Sequence, residues 1–128
     1  MKLFNLDYEE VQTHIERAGY GLKGLLTCPV CAPYGGHEGC LHHESVYVFN
    51  RPKEDWERGL ILSVNGEAVN LHSGGDVQTD NPSERRNGVL IGFWCEICQA
   101  GLDGQPMLYL AIGQHKGQTE ISWFVPKD

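Results

Sequence analysis

The chain contains no apolar run long enough to cross a membrane. Its start, from Met1 to Asp7, leads into the acidic pair Glu9 and Glu10 before a long apolar stretch develops, unlike a secretory signal peptide. There is also no His-Glu-x-x-His, no P-loop and no Gly-x-Ser-x-Gly, three common signatures of enzymes. These absences predict a cytoplasmic protein without a membrane partner and count against an enzyme.

Basic residues are scarce as well. The 128 residues include 10 Lys and Arg against 17 Asp and Glu, for a formal net charge of −7 at pH 7. A surface of this sign repels phosphate polyanions unless its few basic side chains cluster on one face. The composition therefore favours a protein partner over nucleic acid, and the length fits one domain, 1–128.

Two Cys-x-x-Cys pairs, Cys28 with Cys31 and Cys95 with Cys98, each follow an apolar, strand-like run. Two thiolates three positions apart can hold one metal ion from a tight turn, and two such turns complete a tetrahedral four-cysteine site. A cytoplasmic chain keeps its thiols reduced, so a metal site is favoured, while a redox pair or disulfides stay open. Zinc is the expected metal, although iron uses the same four thiolates. Because 63 residues separate Cys31 from Cys95, the metal would tie distant parts of one domain together.

Four further side chains near the first pair are possible ligands. His37, Cys40, His42 and His43 each carry a donor atom that can replace one of the four cysteines. The plainer interpretation is that Cys40 is a small buried thiol at the edge of the core. The two adjacent histidines then begin a strand, with one ring inward and one outward.

The N-terminal segment predicts a helix over 8–18 that packs against a sheet. Asp7, followed three residues later by Glu10, resembles a capping box. The apolar residues that would share one helical face are Tyr8, Val11, Ile15 and Ala18.

The rest of the chain indicates a turn-rich, mainly β (α+β) fold. Asn65-Gly66 predicts a two-residue type I′ hairpin in which Leu62 faces Val69. Alternation then places a set of aliphatic residues on the core side of that hairpin. The set is Leu60, Leu62, Val64, Val69 and Leu71.

A second hairpin is predicted around Lys116-Gly117, with Leu110 facing Trp123 and Ile112 facing Ile121. The nearly continuous apolar run 89–95 is typical of a central strand buried on both sides. The predicted architecture is an antiparallel sheet of hairpins with one N-terminal helix, closed by a zinc-ribbon-like four-cysteine site.

A long polar loop is predicted over 73–88, because this segment has no apolar period. Arg85 and Arg86 are adjacent there, and an arginine pair can hold a phosphate or carboxylate through paired hydrogen bonds. More often such a pair is exposed or bonded to nearby carboxylates. Together with Lys116, they are the candidate contacts for nucleic acid or another anion.

Three stretches together resemble a family of small uncharacterised bacterial, phage and plasmid proteins with a Cys-Pro-x-Cys near the start. They are 81–88, Phe93-Trp94-Cys95-Glu96-Ile97-Cys98, and 114–119 followed by Trp123. The resemblance covers most of the chain from Cys28 to Trp123 and implies zinc binding in a bacterial or mobile-element setting. The first cysteine turn also resembles a zinc-ribbon knuckle, with Ala32 where such a knuckle usually has glycine.

Three classes of function follow. The first is a non-enzymatic domain with structural zinc that binds another protein or regulates it. The second is a nucleic-acid-binding zinc ribbon that uses Arg85, Arg86 and Lys116 on phosphates and Trp94 or Trp123 for base stacking. The third is a hydrolase, whose candidate side chains would be His72, Asp76, Asp80 and His115. A metal held by four cysteines has no open position for substrate, which disfavours the third class.

Overall fold

The computed structural model describes residues 2–13, 15–17, 24–31, 40–52, 58–73 and 78–127, with 15–17 described by backbone alone. The described residues form strands and turns and contain no α-helix. In chain order the strands are β1 (Lys2–Leu3), β2 (Leu6–Val11), β3 (Ile15–Arg17), β4 (Gly24–Leu26), β5 (Leu41–Asn50), β6 (Leu60–Asn65), β7 (Ala68–Ser73), β8 (Gly88–Cys95), β9 (Leu108–His115) and β10 (Gln118–Pro126).

The helix predicted over 8–18 is wrong, because the described part of this segment forms β2 and β3. β2 pairs antiparallel with β10, with Val11 opposite Trp123 and Tyr8 opposite Pro126. The backbone groups of β2 therefore find partners on a strand more than a hundred residues away. Helix propensity depends only on residues that are close in sequence, so it does not reflect a strand partner so far along the chain. The long-range pairing outweighs the local helix signals.

Eight strands form one antiparallel sheet in the order β1-β2-β10-β9-β8-β5-β6-β7, and β3 and β4 form a separate pair. β8 lies between β9 and β5, as its apolar sequence predicts. The sheet curls on itself. Three strands separate β2 from β5 in the sheet, yet the turn between β1 and β2 places the Phe4 ring 4.7 Å from Tyr47 on β5.

Each side of the sheet carries its own apolar cluster, because successive residues of a strand point to opposite sides. β9 gives Tyr109 and Ala111 to one cluster and Leu108 and Leu110 to the other. The tyrosine cluster consists of Leu3, Tyr8, Phe49, Ile61, Leu90, Tyr109, Ala111 and Phe124. The cysteine cluster consists of Cys28, Cys40, Phe93, Cys95, Leu108, Leu110 and Trp123.

The hairpin of β9 and β10 has the predicted register. Lys116 and Gly117 have φ values of 48° and 82°, as both central residues of a type I′ turn require. Leu110 pairs with Trp123 in the ladder. The two sides of this hairpin thus contribute to the two apolar clusters.

The hairpin of β6 and β7 differs from the prediction by two positions. Its central residues are Gly66 and Glu67, so Leu62 pairs with Leu71 and not with Val69. Gly66 has a φ of 61° at the first central position, which is typical of a type II′ turn. The glycine therefore takes the first place in the turn instead of the second.

The side assigned to the core in that hairpin is also wrong. The predicted aliphatic residues do share one side, but Val69 and Leu71 are each 65% exposed. The opposite side carries Ile61 and Ser63, both 8% exposed, and Ile61 pairs with the fully buried Phe49 of β5. β6 is apolar on both sides, so alternation alone does not decide which side faces a core.

The loop before β8 is fixed to the sheet by side-chain hydrogen bonds. Gln78 is 2% exposed, and its Nε2 donates to carbonyl oxygens at the end of β5 and the start of β6. Ser83 Oγ donates to the carbonyl oxygen of Asn87 at 2.6 Å and accepts from the backbone N–H of Gln114 at 2.8 Å. The Gln78 bonds hold the loop against β5 and β6, and the Ser83 bond holds it against β9.

Candidate metal centre

Two turns deliver the four predicted cysteines to one place. Cys28 and Cys31 lie in the turn after β4, while Cys95 ends β8 and Cys98 lies in the turn that follows. Their Sγ atoms all lie within 4.8 Å of one another. Sγ of Cys28 is 3.8 Å from Sγ of Cys98, and Sγ of Cys31 is 3.8 Å from Sγ of Cys95. These are contacts between free thiols, since a disulfide bond would place its sulfur atoms about 2.05 Å apart.

Two of the six sulfur separations, those of 3.8 Å, match the edge of a tetrahedral metal site. Four sulfur atoms at a Zn–S distance of about 2.3 Å stand about 3.8 Å apart along each edge of the tetrahedron. Within the described ranges, the four cysteines are the one group of three or more side chains placed to hold a metal ion. The chain is therefore a mainly β protein with a four-cysteine cluster that can bind a metal.

Backbone amides point at the first cysteine of each pair. The pKa of Cys28 rises to about 12 because the thiol is buried, although N–H groups of Cys31 and Val30 donate to its sulfur. Burial acts on Cys95 too, but the N–H groups of Cys98 and Ile97, together with the Cys40 and Cys98 thiols, outweigh it and lower the Cys95 pKa to about 7. Both turns thus supply the paired N–H to sulfur bonds that stabilise a thiolate ligand, while Ala32 lies outside the described residues.

The second turn depends on backbone conformations with positive φ. Gln99 has a φ of 64° and Gly101 a φ of 84°. The Cys95 N–H donates to the carbonyl oxygen of Ala100 at 2.9 Å, which closes the turn. A Cβ on Gly101 would lie 2.7 Å from the carbonyl oxygen of Phe93, so this close approach requires glycine.

Cys40 lies next to the four metal-site cysteines without being one of them. It is 1% exposed, and its carbonyl oxygen accepts the N–H of Glu96 at 2.9 Å, which fixes the start of the second turn. Burial, followed by its hydrogen bond to the Cys95 sulfur, raises the pKa of the Cys40 thiol to about 11.

The two described histidines among the alternative ligands, His42 and His43, contact other side chains and are not part of the four-cysteine group. The His42 ring stacks on Trp94 with 4.2 Å between centroids, and its Nε2 is 3.4 Å from a carboxylate oxygen of Glu96. His43 meets Phe93 edge-on at 6.3 Å. His37 is outside the described residues.

The three candidate anion contacts are brought together. Arg85 and Arg86 from the loop, and Lys116 from the tip of the β9 to β10 hairpin, line one pocket of 140 Å³. Base stacking by Trp123 is wrong, because this side chain is fully buried in the cysteine cluster.

The candidate hydrolytic side chains have separate surroundings. Asp80 accepts the backbone N–H of Phe4 at 2.9 Å, and His72 is an exposed residue of β7. His115 lines the pocket with the basic residues, 3.9 Å from Glu84. Asp76 falls outside the described residues.

A row of aliphatic side chains is the feature that sequence analysis misses. The pairing registers align one such residue from each of six neighbouring strands on the side of the sheet that carries the cysteine cluster. Four of them are exposed by 36% to 65% of their surface, and the row is about 24 Å long at a strand spacing of about 4.8 Å. We call this row the apolar band. It consists of Leu71, Leu62, Val48, Val89, Ile112 and Ile121.

Comparison of the chain with protein-family models, with curated proteins and with solved structures returned no match. The likeness to small bacterial, phage and plasmid proteins therefore stays a prediction. Among the described residues, no helix has the length and apolar character needed to cross a membrane.

Proposed function

We propose that the four cysteines hold one structural zinc ion, and that the chain is a non-enzymatic β domain that acts by binding another protein molecule. The observation that supports the metal is the agreement between the 3.8 Å sulfur separations and the edge of a zinc–thiolate tetrahedron. Four protein ligands leave no coordination position for water or substrate, so such an ion holds the fold and performs no chemistry.

The position of the site explains what the ion would stabilise. It joins the turn after β4 to the end of β8, two segments that share no strand pairing. Bound as thiolates, the four sulfur atoms would carry four negative charges, of which a dication would offset two. A reducing, cytoplasmic setting suits such a site because it keeps the thiols free.

Elemental analysis of carefully purified protein tests the metal directly. We expect one zinc per chain, and a Cys95→Ser variant should lose it. Cys40→Ser is the matched control, because it alters a buried thiol that touches the cluster from outside. Protein with intact thiols but no bound metal, even after zinc addition, would contradict the proposal. One iron per chain would instead identify a rubredoxin-like site and exclude zinc.

The apolar band supports the protein-binding part. On the same side of the sheet, Leu110 and Trp123 are buried within the cysteine cluster, whereas Leu71 at one end of the apolar band is 65% exposed. None of its six members is polar or charged, and contiguous apolar surface of this kind marks interaction sites. We propose that the band packs face to face on the band of a second copy, because aliphatic side chains then meet aliphatic side chains across a two-fold axis.

Sedimentation velocity over a wide concentration range tests this pairing. The wild-type chain should dimerise, more strongly at high salt, because copies of net charge −7 repel one another. Leu71→Lys should weaken the dimer about tenfold or more, since burying a leucine is worth about 1.5–3 kcal/mol. Asn70→Lys adds the same charge on the opposite side of β7 and should have a smaller effect. A monomer at every concentration, or equal effects of the two variants, would exclude the dimer.

A further inference from the structure

We infer that the pocket between the 84–86 loop and the β9 to β10 hairpin binds a phosphate monoester. Two segments separated by about thirty residues meet there, and Arg85, Arg86 and Lys116 all line its 140 Å³ volume. This inference is independent of the zinc ion and of the apolar band, since it uses neither.

The side chains that line the pocket favour an anion. Three of the lining residues are basic and one, Glu84, is acidic. His115 lies 3.9 Å from the Glu84 carboxylate and also lines the pocket. The protein as a whole is acidic, with a net charge of −7. A local group of basic side chains in an acidic protein attracts anions.

The side-chain types favour phosphate over a carboxylate. Each guanidinium group is a planar fork of donors that can bind two oxygen atoms at once, and an ammonium group adds donors from another direction. A terminal phosphate presents three acceptor oxygens and carries about −1.5 to −2 charges at neutral pH, so several donors can bind it at once. A carboxylate has two oxygens and a single charge.

Hydrogen bonds hold the two walls in position before any ligand arrives. Ser83 Oγ joins the loop carbonyl of Asn87 to the N–H of Gln114 on β9. The carbonyl oxygen of Arg86 accepts from Asn81 Nδ2 at 3.0 Å, which fixes the backbone that carries the arginine pair. The loop also approaches β9 closely at Gly113, where a Cβ would lie 2.9 Å from the carbonyl oxygen of Pro82.

Fluorescence anisotropy with two short single-stranded DNA probes tests the inference. The probes have the same sequence and a 3′ dye, and one carries a 5′ phosphate where the other carries a 5′ hydroxyl. The wild-type chain should prefer the phosphorylated probe at low salt, and inorganic phosphate should compete with it. Equal binding of the two probes would overturn the monoester assignment and point to backbone phosphates instead.

Variants then locate the site. Arg85→Gln and Lys116→Gln should each weaken binding of the phosphorylated probe about 10- to 100-fold, the range expected for a charge-assisted hydrogen bond. Lys127→Gln makes the same charge change at an exposed residue outside the pocket and should leave the preference unchanged. If the pocket variants bind the phosphorylated probe as tightly as Lys127→Gln does, the phosphate does not bind in this pocket.

Ser83→Ala provides a test that leaves the charge unaltered. Removing Oγ frees the loop from β9, so we expect a smaller preference for the 5′ phosphate with little change for the hydroxyl probe. Ser122→Ala is the matched control, because it removes a hydroxyl bonded to Glu10 at 3.0 Å outside the pocket. An unchanged preference in Ser83→Ala would mean that the bridge does not position the arginines.

Discussion

If the four-cysteine site holds the proposed zinc ion, removing that ion should lower the melting temperature of the protein by an amount that can be calculated. At about 2.1 cal/mol/K per residue, a chain of 128 residues has an unfolding entropy of about 270 cal/mol/K. A loss of 1 kcal/mol in the free energy of unfolding then lowers the melting temperature by about 4 °C. Free zinc at a thousand times its dissociation constant stabilises the folded state by about 4.1 kcal/mol, so its removal should lower the melting temperature by about 15 °C.

Calorimetry of zinc-loaded and chelator-treated protein measures this difference. Cys28→Ser should melt at the same temperature with and without the chelator, because it lacks one of the four ligands. Cys40→Ser should keep most of the zinc-dependent difference while losing some stability, since the altered side chain is buried but is not one of the four ligands.

One result would refute the reasoning. If the chelator removes all metal from the wild-type protein and the melting temperature does not change, then metal binding by the four cysteines does not stabilise the fold. The two turns would then be held by their backbone hydrogen bonds alone.

Two further predictions concern the same region. Metal-free protein should lose stability as the pH rises from about 9 towards about 12, because the Cys28 thiol keeps its proton in the folded state and releases it more readily in the unfolded chain. Urea titrations over this pH range measure the loss in the free energy of unfolding. A free energy of unfolding that does not change with pH would contradict the burial of the thiol. Gly101→Ala should lower the melting temperature more than Gly104→Ala. Both residues have positive φ, but a Cβ meets the Phe93 carbonyl oxygen only at Gly101. Equal effects in thermal melts would mean that the turn accommodates the Cβ without loss of stability.

The four-cysteine cluster could be predicted from the sequence because its chemistry is local. A Cys-x-x-Cys turn needs few residues to define it, and its preference for a second turn of the same kind does not depend on how the chain runs between them. The alternative ligands were harder to exclude. His42 is one residue from a strand start, and its orientation towards Trp94 and Glu96 follows from pairing with β8.

The two hairpins show where turn residues define a register and where they do not. In the Lys116-Gly117 turn the glycine takes the second central position, because Lys116 adopts the positive φ, 48°, that the first position requires. Asn65-Gly66 fits a turn in which glycine comes second, but Gly66 comes first in the structure and the register moves by two positions. Because the shift is even, the same residues stay on one side, which is why the shared side was predicted and the partners were not.

The failed helix and the apolar band have a common cause. Tyr8 and Val11 take their positions from β10, and the band exists because six strands align in one register. Neither relation can be read from residues close together in the chain. Sequence patterns therefore identified the chemistry of individual turns better than the surfaces that strands build together.

The pairing of β2 with β10 has a consequence for synthesis on the ribosome. Val11 and Trp123 are partners, 112 positions apart, so the ribosome must make and release most of the later strands before β2 can join the sheet. Chains with such distant contacts fold slowly, and their unpaired strands stay accessible to other molecules in the meantime. The backbone groups of β2 that bond to β10 should accordingly stay unpaired until β10 has left the exit tunnel.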